Sequence, residues 1–503
     1  MEPTREYNSN AALRRSRRRA EFGYGFALVQ NPVWTLAQVL LATSGRLWGE
    51  RTQAAFRLIS TDSRTIEAGD LFVALRGENF DGQQFVAEAV AKGAAGLVLE
   101  QPPAEPVPVP VVLVDDTTRA LGDLAHYRRC RLRALKVLAI TGSSGKTTVK
   151  EMTASILERR QRLLKTRGNL NNLIGLPLSL LPVDASHRLA VLEMGMNRPG
   201  EIARMAEIAV PDIACITNVQ EAHLAGLTDV EGVARAKGEL FAGLPAWGTL
   251  VVNLDDKRVR KLAAAGGQKQ ITFGRSRQAQ VRATYIRSLG EEGMSFTLTI
   301  GDWRQRLRLA ALGTHNVSNA LAAAALATAA GVEPAEIAAG LAAYRPFAKR
   351  MQLQPFIAGL KLIDDTYNAN PSSMLAALET LHNLRRQRRV VAVLGDMLEL
   401  GAQSVASHRF VGGEVARLDF DYLLAVGDFA GEVVSAARRR GMAAARTVAC
   451  ADKEEVVARL RQMVTAGELA ADDIVLFKGS RGMQMETIID KARTAVVTVQ
   501  QDQ

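Results

Sequence analysis

The sequence predicts an α/β protein of three domains: a small α/β N-terminal domain, a central P-loop-type domain on a mostly parallel sheet, and a C-terminal Rossmann-like α/β domain. Three observations predict this fold class. The chain has 503 residues, which suits about three domains. Apolar strands alternate with helical stretches along most of its length. Residues 136–150, KVLAITGSSGKTTVK, place a glycine-rich turn between a strand and a helix.

We divide the chain into a basic extension and three domains, at residues 1–31, 32–110, 111–345 and 346–503. The extension carries six arginines in its first nineteen residues, and SRRRAEF (16–22) weakly resembles a twin-arginine export signal. The apolar stretch after it is short, is interrupted by Gln30, Asn31 and Pro32, and lacks a small-residue cleavage site. We therefore expect a disordered extension.

The N-terminal domain shows a few predicted elements before a proline-rich connection. WTLAQVLLATSGRLWG has the apolar spacing of a short amphipathic helix that Gly45 closes. A strand, a helix and a second strand follow, each bounded by turn residues. The four ranges are 34–49, 71–75, 85–92 and 96–99. QPPAEPVPVP (101–110) is typical of a semi-rigid linker.

The central domain repeats the strand–helix unit that produces a parallel sheet with helices on both faces. We predict strands at 111–114, 137–141, 188–195, 212–219 and 248–256, and helices at 117–128, from Lys146, at 315–330 and at 336–343. Residues 294–310 alternate apolar and polar side chains instead, which indicates an antiparallel hairpin late in the domain.

The C-terminal domain repeats the same unit, with strands at 360–365, 389–396, 421–428 and 473–479. Open α/β sheets bind ligands at the carboxyl ends of their parallel strands. Asp364 and Asp365 end the first of these strands, where a charge without a partner is costly. Lys478 and Arg481 lie on a glycine-rich turn after the last strand, a candidate clamp for an anion or a carboxylate.

The glycine-rich turn within 136–150 carries the strongest chemical signal. Backbone N–H groups at the start of the helix and the helix dipole favour an anion at this turn. Lys146 adds a cation for the β- and γ-phosphates of a nucleotide, and the Thr147 hydroxyl can ligate Mg²⁺. Ile140 replaces the first glycine of the usual motif, which leaves the shorter form T-G-x-x-G-K-T-T. The candidate phosphate contacts are Thr141, Gly142, Ser143, Ser144, Gly145, Lys146, Thr147 and Thr148.

Three further side chains follow the turn in the central domain. Glu193 ends an apolar strand, from which its carboxylate can reach a Mg²⁺ ion held at the turn. The alternative is a strand-end carboxylate that faces water. His223 lies in a predicted loop and Lys237 on a predicted helix, where such side chains are usually solvated. From the residues alone, these last two are weak candidates.

Composition argues against several function classes. Aromatic residues make up 5 % of the chain and are absent from the basic runs at 384–389 and 437–441. We therefore predict solvated helix faces there and no nucleic-acid site. No apolar run reaches the length of a membrane span.

The widely spaced Cys130, Cys215 and Cys450 indicate reduced core residues of a cytoplasmic protein. The net charge of +11 suits polyanionic ligands such as nucleotides.

Seven motifs occur in one order along the chain: TGSSGKTT, LEMGMNRPGEI, ITNVQEAHL, AKGELF, LGTHNVSNALAA, DDTYNANPSS and KGSRGMQME. By this set, the chain resembles the Mur ligases of bacterial cell-wall synthesis over residues 32–495. The resemblance implies a monomeric, cytoplasmic ligase that uses ATP and two Mg²⁺ ions to form an amide bond. The implied substrates are ATP, UDP-N-acetylmuramoyl-tripeptide and D-alanyl-D-alanine.

The resemblance also implies roles for individual residues. The implied catalytic residues are Lys146, His223, Lys237 and Arg350, with Lys237 carbamylated by CO₂. The implied metal-binding residues are Thr147, Glu193, His223 and Lys237. Beyond the turn, nucleotide contacts are implied at His315, Asn316, Asn319, Arg350 and Asp365. Substrate contacts are implied at Ser63, Arg64, Asn169, Asn171, Asn172, Tyr367, Asn368, Asn370, Lys478 and Arg481. Residues 32–110 would bind the UDP-muramoyl substrate, 111–345 ATP, and 346–503 the dipeptide and the nucleotide.

Within the family, the motifs favour the member that adds D-alanyl-D-alanine. DSRTIEAGDLFVALRG (62–77) is similar to the start of the two later-acting enzymes, and GDMLELG (395–401) to the dipeptide-adding one. The D-N-P-R motif of the diaminopimelate-adding ligase is absent from the sequence. Two alternatives stay open. One is another Mur-type amino-acid ligase, either diaminopimelate-adding or similar to folylpolyglutamate synthetase, and the other is a P-loop ATPase or regulator that is no ligase.

Overall fold

The computed structural model describes residues 33–77, 80–221, 224–227 and 229–501. The chain forms two compact units, of which the first ends at Thr117 and the second begins at Thr118. The basic extension predicted at 1–31 lies outside the described residues.

The first unit is built on a five-stranded sheet. Its elements are β1 (Trp34–Thr35), α1 (Leu36–Thr43), β2 (Arg46–Trp48), β3 (Ala55–Phe56), β4 (Ile59–Ser60), β5 (Leu71–Val73), β6 (Arg76–Gly77), β7 (Phe80–Asp81), α2 (Val86–Ala91), β8 (Gly96–Leu99) and β9 (Val111–Leu113). The order of the sheet is β2-β9-β8-β5-β4, with β2 antiparallel to its neighbour and the other strands parallel. Apolar side chains of β5, β8 and β9 fill its core.

One strand of the first unit was missed and another was assigned to the wrong domain. The helix predicted to close at Gly45 ends at Thr43, and Arg46–Trp48 form β2, which was not predicted. Gly45 serves close packing there, since a Cβ atom would lie 2.5 Å from Cγ1 of Val112 on β9. The strand at 111–114 was assigned to the central domain, but β9 pairs with β8 and β2. A short apolar strand carries no information about which sheet it joins. The limits of the three domains stay a prediction.

A nine-stranded sheet with flanking helices forms the first part of the second unit. Its elements are α3 (Thr117–Arg131), β10 (Lys136–Thr141), α4 (Lys146–Leu157), β11 (Leu163–Lys165), α5 (Gly175–Leu180), β12 (Leu189–Glu193), α6 (Glu201–Ala209), β13 (Ile213–Ile216), α7 (Leu224–Leu227), α8 (Val230–Ala242), β14 (Thr249–Asn253), α9 (Lys257–Ala263), β15 (Lys269–Gly274), β16 (Val281–Ser288), β17 (Met294–Ile300), β18 (Trp303–Leu309), α10 (Thr314–Ala329) and α11 (Pro334–Ala343).

The order of this sheet is β11-β12-β10-β13-β14-β15-β16-β17-β18. Neighbouring strands from β11 to β16 are parallel, whereas β16, β17 and β18 form an antiparallel meander. The antiparallel hairpin predicted at 294–310 is confirmed, and β16 extends it by one strand.

Helix α4, which follows the glycine-rich turn, is held by two closely packed helices. Small side chains let α10 approach it, with Ala320 and Ala322–Ala325 buried in the shared core. On α11, a Cβ atom at Gly340 would lie 2.5 Å from the Cα of Ile156. The Ser155 hydroxyl donates a hydrogen bond to the Gly340 carbonyl at 2.8 Å. Packing therefore fixes the helix that presents the turn.

A six-stranded sheet forms the rest of the second unit. Its elements are β19 (Gln352–Pro355), β20 (Lys361–Asp365), α12 (Pro371–Leu384), β21 (Val390–Gly395), α13 (Ser404–Arg417), β22 (Tyr422–Val426), α14 (Ala430–Arg439), β23 (Thr447–Cys450), α15 (Lys453–Thr465), β24 (Ile474–Lys478) and α16 (Glu486–Gln501). The order is β19-β20-β24-β21-β22-β23, parallel except for β19. The four strands predicted here are confirmed, and the edge strands β19 and β23 were missed.

Two predictions about surface and core were also wrong. Cys130 is exposed on α3, whereas Cys215 and Cys450 are buried as predicted. The basic run at 384–389 is not a solvated helix face, because α12 ends at Leu384 and two of the four arginines that follow, Arg385 and Arg388, form ion pairs. Arg385 pairs with Asp421 at 3.3 Å.

Within the part of the chain that the structure describes, no helix combines the length and the apolar character that crossing a bilayer requires.

We expect Gly340→Val to lower the free energy of unfolding by about 1–3 kcal/mol, because the added side chain overlaps the backbone of α4. Urea denaturation followed by circular dichroism measures this change. Ala339→Val is the matched control, since Ala339 is exposed on the same helix and the change should cost less than about 1 kcal/mol. Equal stability of the two variants would contradict the close helix packing.

Candidate active site

A cavity of about 770 Å³ lies where the carboxyl ends of parallel strands from both sheets of the second unit meet. The strands β10, β12, β13 and β14 reach it from the nine-stranded sheet, and β20 and β24 from the six-stranded sheet. This is the position at which open α/β sheets bind ligands.

Two glycines shape the turn after β10. Gly142 has a φ of 151° and Gly145, directly before α4, a φ of 83°. A Cβ atom at Gly145 would lie 2.3 Å from Oδ1 of Asn319, so only glycine fits. The Lys146 ammonium donates a hydrogen bond to the Gly142 carbonyl at 2.7 Å. Burial lowers the pKa of Lys146, while the carboxylate of Glu193 acts in the opposite direction.

The segment after β13 holds this turn in shape. The backbone N–H of Ser143 donates to the Asn218 carbonyl at 3.0 Å, and that of Ser144 to the Asn218 side-chain oxygen at 2.9 Å. The Thr217 hydroxyl donates to the Ser144 carbonyl at 2.7 Å. The Ser143 hydroxyl donates to the Gln220 carbonyl at 2.9 Å. These bonds preorganise the turn as an anion site. The sequence had not singled out Thr217, Asn218 or Gln220.

The predicted phosphate contacts divide into two groups. Thr141 and Gly142 are buried beneath the turn, and the Thr141 hydroxyl donates to the Met194 carbonyl at 2.8 Å. Their role toward a nucleotide stays a prediction. The residues that line the cavity are Ser143, Ser144, Gly145, Lys146, Thr147 and Thr148.

Glu193 ends β12 in the cavity wall and is buried. Its Oε1 accepts a hydrogen bond from Nδ2 of Asn171 at 2.8 Å, and its backbone N–H donates to the Thr166 hydroxyl at 3.0 Å. Its Oε2 is buried and has no hydrogen-bond partner among the described residues. A buried carboxylate oxygen without a partner is costly. Together with the Thr147 hydroxyl in the same cavity, this carboxylate provides the oxygen ligands that Mg²⁺ prefers.

Lys237 is not a solvated lysine, since only 1 % of it is exposed on α8. Burial places its pKa well below that of a free lysine, and the positive charge of Lys146 lowers it further. Both effects favour the neutral amine over the ammonium form. His223 lies outside the described residues. Among the residues described, no three His, Cys, Asp or Glu side chains cluster as a metal site.

Arg350 connects the two sheets at the cavity. Its guanidinium donates a hydrogen bond to the Thr147 hydroxyl at 2.9 Å and lies 3.9 Å from the centre of the Tyr367 ring. The flanking Lys349 and Met351 have φ values of 63° and 50°. Such backbone strain often marks a functional site. The structure thus brings Arg350 to the turn, and its contact with a nucleotide stays a prediction.

The turn after β20 makes a second connection. Asn370 caps α12 by accepting the Ser373 N–H at 2.8 Å, and its Nδ2 donates to the Ser144 hydroxyl at 3.2 Å. The Asn368 carbonyl accepts a hydrogen bond from Lys478 at 3.0 Å. Asn370 therefore caps α12, which packs with the six-stranded sheet, and also contacts the glycine-rich turn of the nine-stranded sheet.

Asp365 and Lys478 lie opposite each other on the parallel strands β20 and β24. Both are buried, with 2.5 Å between the Lys478 ammonium and Oδ2 of Asp365, while the Met351 N–H donates to Oδ1 at 3.1 Å. The carboxylate of Asp364 accepts two hydrogen bonds from Thr366, which offset only part of the cost of that buried charge, since burial still raises the pKa of Asp364. Asp365 and Lys478 are thus partners of one another, and their contacts to nucleotide or substrate stay predictions.

His315, Asn316 and Asn319 lie at the start of α10 and line the cavity. Asn316 donates to the Leu312 carbonyl at 2.7 Å, and Asn319 donates to Asn316 at 2.9 Å. Burial lowers the pKa of His315 to about 4, although the Asp365 carboxylate opposes the shift. The imidazole is therefore neutral near pH 7.

The remaining predicted contacts of the second unit also line the cavity. These are Asn169, Asn171 and Asn172 between β11 and α5, Tyr367 and Asn368 after β20, and Arg481 after β24. Asn172 accepts the Gly175 N–H at 2.8 Å and so helps to start α5. Arg481 pairs with Glu486 at 2.5 Å. Burial would raise the pKa of Glu486, but hydrogen bonds from Lys349 and Arg481 hold it at about 2.

Ser63 and Arg64 belong to the first unit. The buried Ser63 donates from its hydroxyl to Glu88 at 3.1 Å. Arg64 is exposed and pairs with Asp62 at 2.8 Å, and hydrogen bonds from Arg64 lower the pKa of Asp62 to about 2. Their predicted contact with a uridine diphosphate stays a prediction.

Sequence reasoning missed the cavity residues at the end of β14. The strand predicted at 248–256 ends at Asn253, so that Asn253–Asp256 form a turn in the cavity wall. Asn253 donates to the Thr217 carbonyl at 2.8 Å, and Asp256 accepts the Val219 N–H at 2.7 Å. The sequence could have indicated this turn, because N-L-D-D after an apolar strand is typical of a turn at the end of a strand.

Three family models match the chain. Their descriptions are "Mur ligase family, catalytic domain" at residues 55–129, "Mur ligase middle domain" at 140–327 and "Mur ligase, glutamate ligase domain" at 349–481. The chain is also 37 % identical to the UDP-N-acetylmuramoyl-tripeptide--D-alanyl-D-alanine ligase of Escherichia coli K12. That match spans 457 residues and covers 90 % of this chain and 97 % of the relative.

Two solved structures are similar to this one. The crystal structure of MurF from Acinetobacter baumannii has a TM-score of 0.85 and 37 % identity, and the match covers 92 % of this chain and 99 % of that chain. MurF ligase from Thermotoga maritima, solved in complex with ADP, has a TM-score of 0.75 and 26 % identity, with 87 % and 97 % covered. The predicted three-domain α/β fold class is confirmed.

We expect the melting temperature to fall between pH 6.5 and about 4, in part through His315. An unfolded chain takes up a proton at this residue near pH 6.5, whereas the folded chain does so only near pH 4. In that window the unfolded state binds more protons, so acidification favours unfolding. His315→Gln should flatten this part of the pH dependence, with His126→Gln as the control for loss of a histidine. An NMR titration that places His315 near pH 6.5 would contradict the assignment.

Proposed function

The chain belongs to the Mur ligase family, and from this premise we propose that it joins D-alanyl-D-alanine to UDP-N-acetylmuramoyl-tripeptide and converts ATP to ADP and phosphate. It is an ATP-dependent, amide-forming ligase of peptidoglycan synthesis. One observation carries the proposal. The phosphate-binding turn, Glu193 and Arg350 line one cavity, in a chain that matches a ligase of this kind over 97 % of the relative's length.

In the first step, the terminal carboxylate of the tripeptide attacks the γ-phosphorus of ATP. The bond to the β–γ bridging oxygen breaks, which yields an acyl phosphate and ADP. Lys146 and the N–H groups at the start of α4 stabilise the charge that spreads over the transferring phosphoryl group. Arg350 supplies a second cation from the other sheet, since its guanidinium already contacts Thr147.

In the second step, the amine of D-alanyl-D-alanine attacks the acyl carbon, loses a proton, and phosphate leaves. The acyl phosphate must be protected from water until then. Contacts from Arg350 and Asn370 to the turn connect the two sheets around the cavity, and closure at these contacts would exclude water.

Thr147 and Glu193 would hold a Mg²⁺ ion, which supports catalysis by neutralising phosphate charge. The unpartnered Oε2 of Glu193 supports this assignment. Lys237 would react with CO₂ through its neutral form and release a proton, and the resulting carbamate would supply an anionic group near Lys146. The low pKa that burial gives Lys237 supports that reaction. Metal binding by His223 stays a prediction.

We further propose that the enzyme works as a monomer in the cytoplasm, where ATP is available, and has no nucleic-acid partner.

The two alternatives that the sequence left open differ from the proposed ligase in the reactions they would catalyse. A diaminopimelate-adding or glutamate-adding ligase would consume ATP with a different amine. An ATPase or regulator would hydrolyse ATP without regard to D-alanyl-D-alanine.

We expect phosphate release only when ATP, UDP-N-acetylmuramoyl-tripeptide and D-alanyl-D-alanine are all present. Tripeptides with diaminopimelate and with lysine at the third position should be assayed in parallel. Lys146→Ala should lower kcat by at least about 100-fold, because a preorganised cation at the phosphoryl group is lost. Lys269→Ala, at the amino end of β15, is the control and should leave kcat unchanged. Release that ignores the dipeptide, or that nucleic acid stimulates, would refute the proposal.

We expect Lys237→Ala to lose activity and to regain part of it when formate or acetate is added. A small carboxylate can enter the space of the missing side chain and replace the anionic carbamate. Lys261→Ala, at an exposed lysine on α9, is the control and should show neither loss nor rescue. Normal activity of Lys237→Ala without any added carboxylate would refute the carbamate.

A further inference from the structure

A strongly basic face lies on the antiparallel part of the nine-stranded sheet. Alternate residues of β16, β17 and β18, such as Ala283, Phe296 and Leu307, are buried in the core. Because strand side chains alternate between faces, the residues between them belong to the opposite face of the sheet, on which Ser295 and Thr299 are themselves buried. These nine residues, which we call the arginine grid, are Arg282, Thr284, Arg287, Ser295, Thr297, Thr299, Arg304, Arg306 and Arg308.

Cross-strand pairing orders the grid in three rows. The rows are Arg282–Thr299–Arg304, Thr284–Thr297–Arg306 and Arg287–Ser295–Arg308. A β-bulge between Thr284 and Arg287 returns Arg287 to the same face as Ser295. Neighbouring strands lie about 4.8 Å apart and alternate residues about 6.8 Å apart. The arginines are therefore spread over an area and not along a line.

The positive charge of the grid is uncompensated. All nine positions hold arginine, serine or threonine, and none of the five arginines forms an ion pair with a carboxylate in the described part of the chain. Arg306 donates instead to the Ser295 hydroxyl at 2.8 Å. At the adjoining turn, Glu291 is engaged elsewhere by Lys361 at 2.6 Å. Such a patch raises the local concentration of anions.

We propose that the arginine grid docks on the anionic headgroups of a phospholipid bilayer. Guanidinium groups bind phosphate oxygens, and Arg287, Arg304, Arg306 and Arg308 are exposed. The two-dimensional spread of charge matches a planar array of phosphates. Tyr285, at the bulge, is 73 % exposed, and its amphipathic ring is of the kind enriched at the bilayer–water interface.

A polynucleotide fits the grid less well. Single strands are bound by charged tracks along which successive bases stack on aromatic side chains. The nine positions contain no aromatic residue, and the exposed Tyr285 at the bulge offers one stacking position and not a run of them. The grid residues do not line the 770 Å³ cavity. The inference is therefore independent of the proposed ligase activity and adds peripheral attachment to a membrane surface.

Co-sedimentation of the full chain with vesicles tests the proposal. We expect binding at low salt to vesicles of phosphatidylcholine mixed with phosphatidylglycerol, and none to phosphatidylcholine alone. The triple variant R304Q/R306Q/R308Q should lower the partition coefficient by about 100-fold, since each arginine near an anionic surface contributes roughly a fivefold factor. Ligase turnover in solution should be unchanged, which shows that the variant folds.

The matched control is R133Q/R159Q/R439Q, which removes the same charge at exposed arginines outside the grid. It should retain most of the binding, and the arginines of residues 1–31 are unchanged in both variants. Absence of binding to anionic vesicles would overturn the proposal, as would equal losses in the two triple variants, which would show an effect of net charge alone. Binding of single- or double-stranded nucleic acid through the same three arginines, without competition from vesicles, would reassign the grid to nucleic acid.

Discussion

The active site depends on the hydrogen bonds that hold the glycine-rich turn against residues 217–220. An anion site made of backbone N–H groups works only if the backbone is already in place before the ligand arrives. Thr217 and Asn218 bind the turn from one side, and the missing Cβ of Gly145 lets Asn319 approach from the other. The end of β14 extends this support, because Asn253 binds the Thr217 carbonyl. The geometry of the turn therefore depends on three neighbouring elements, which are residues 217–220, α10 and the end of β14.

Burial decides what the charged groups of the cavity can do. Lys478 and Asp365 neutralise each other on adjacent strands, so this pair adds little net charge to the site. Lys146 and Arg350 remain directed at the turn, where a cation in a partly dehydrated cavity interacts strongly with phosphate. The carboxylate of Glu193 adds a negative charge to the same cavity, and its Oε2 has no hydrogen-bond partner in the described residues. The arrangement suits a reaction in which negative charge arrives with ATP and moves during phosphoryl transfer.

Local pattern was a good guide to the interior of both large sheets. Strands such as 137–141 and 473–479 are continuous apolar runs, and such runs form where helices cover both faces of a parallel sheet. Edge strands were missed because their sequences lack that signal, as in QLQP of β19. The strand Arg46–Trp48 was missed because it is short and its extended form depends on pairing with β9. The strand-end turn at Asn253–Asp256 was mistaken for strand, although its residue types favour a turn.

The sequence by itself determined the chemistry of the turn, with Lys146 and Thr147 at the start of a helix, and the resemblance of seven ordered motifs to one family. Those features are local, since they depend on residues within a few positions of each other. Tertiary structure alone decided that Arg350 contacts Thr147, 203 positions away, and that Lys237 is buried, which lowers its pKa. It also places Asp365 beside Lys478 as an ion pair and places five arginines on one face of the antiparallel strands. Burial and pairing between distant residues depend on how sheets pack and in which register strands align, and no short stretch of sequence contains that information.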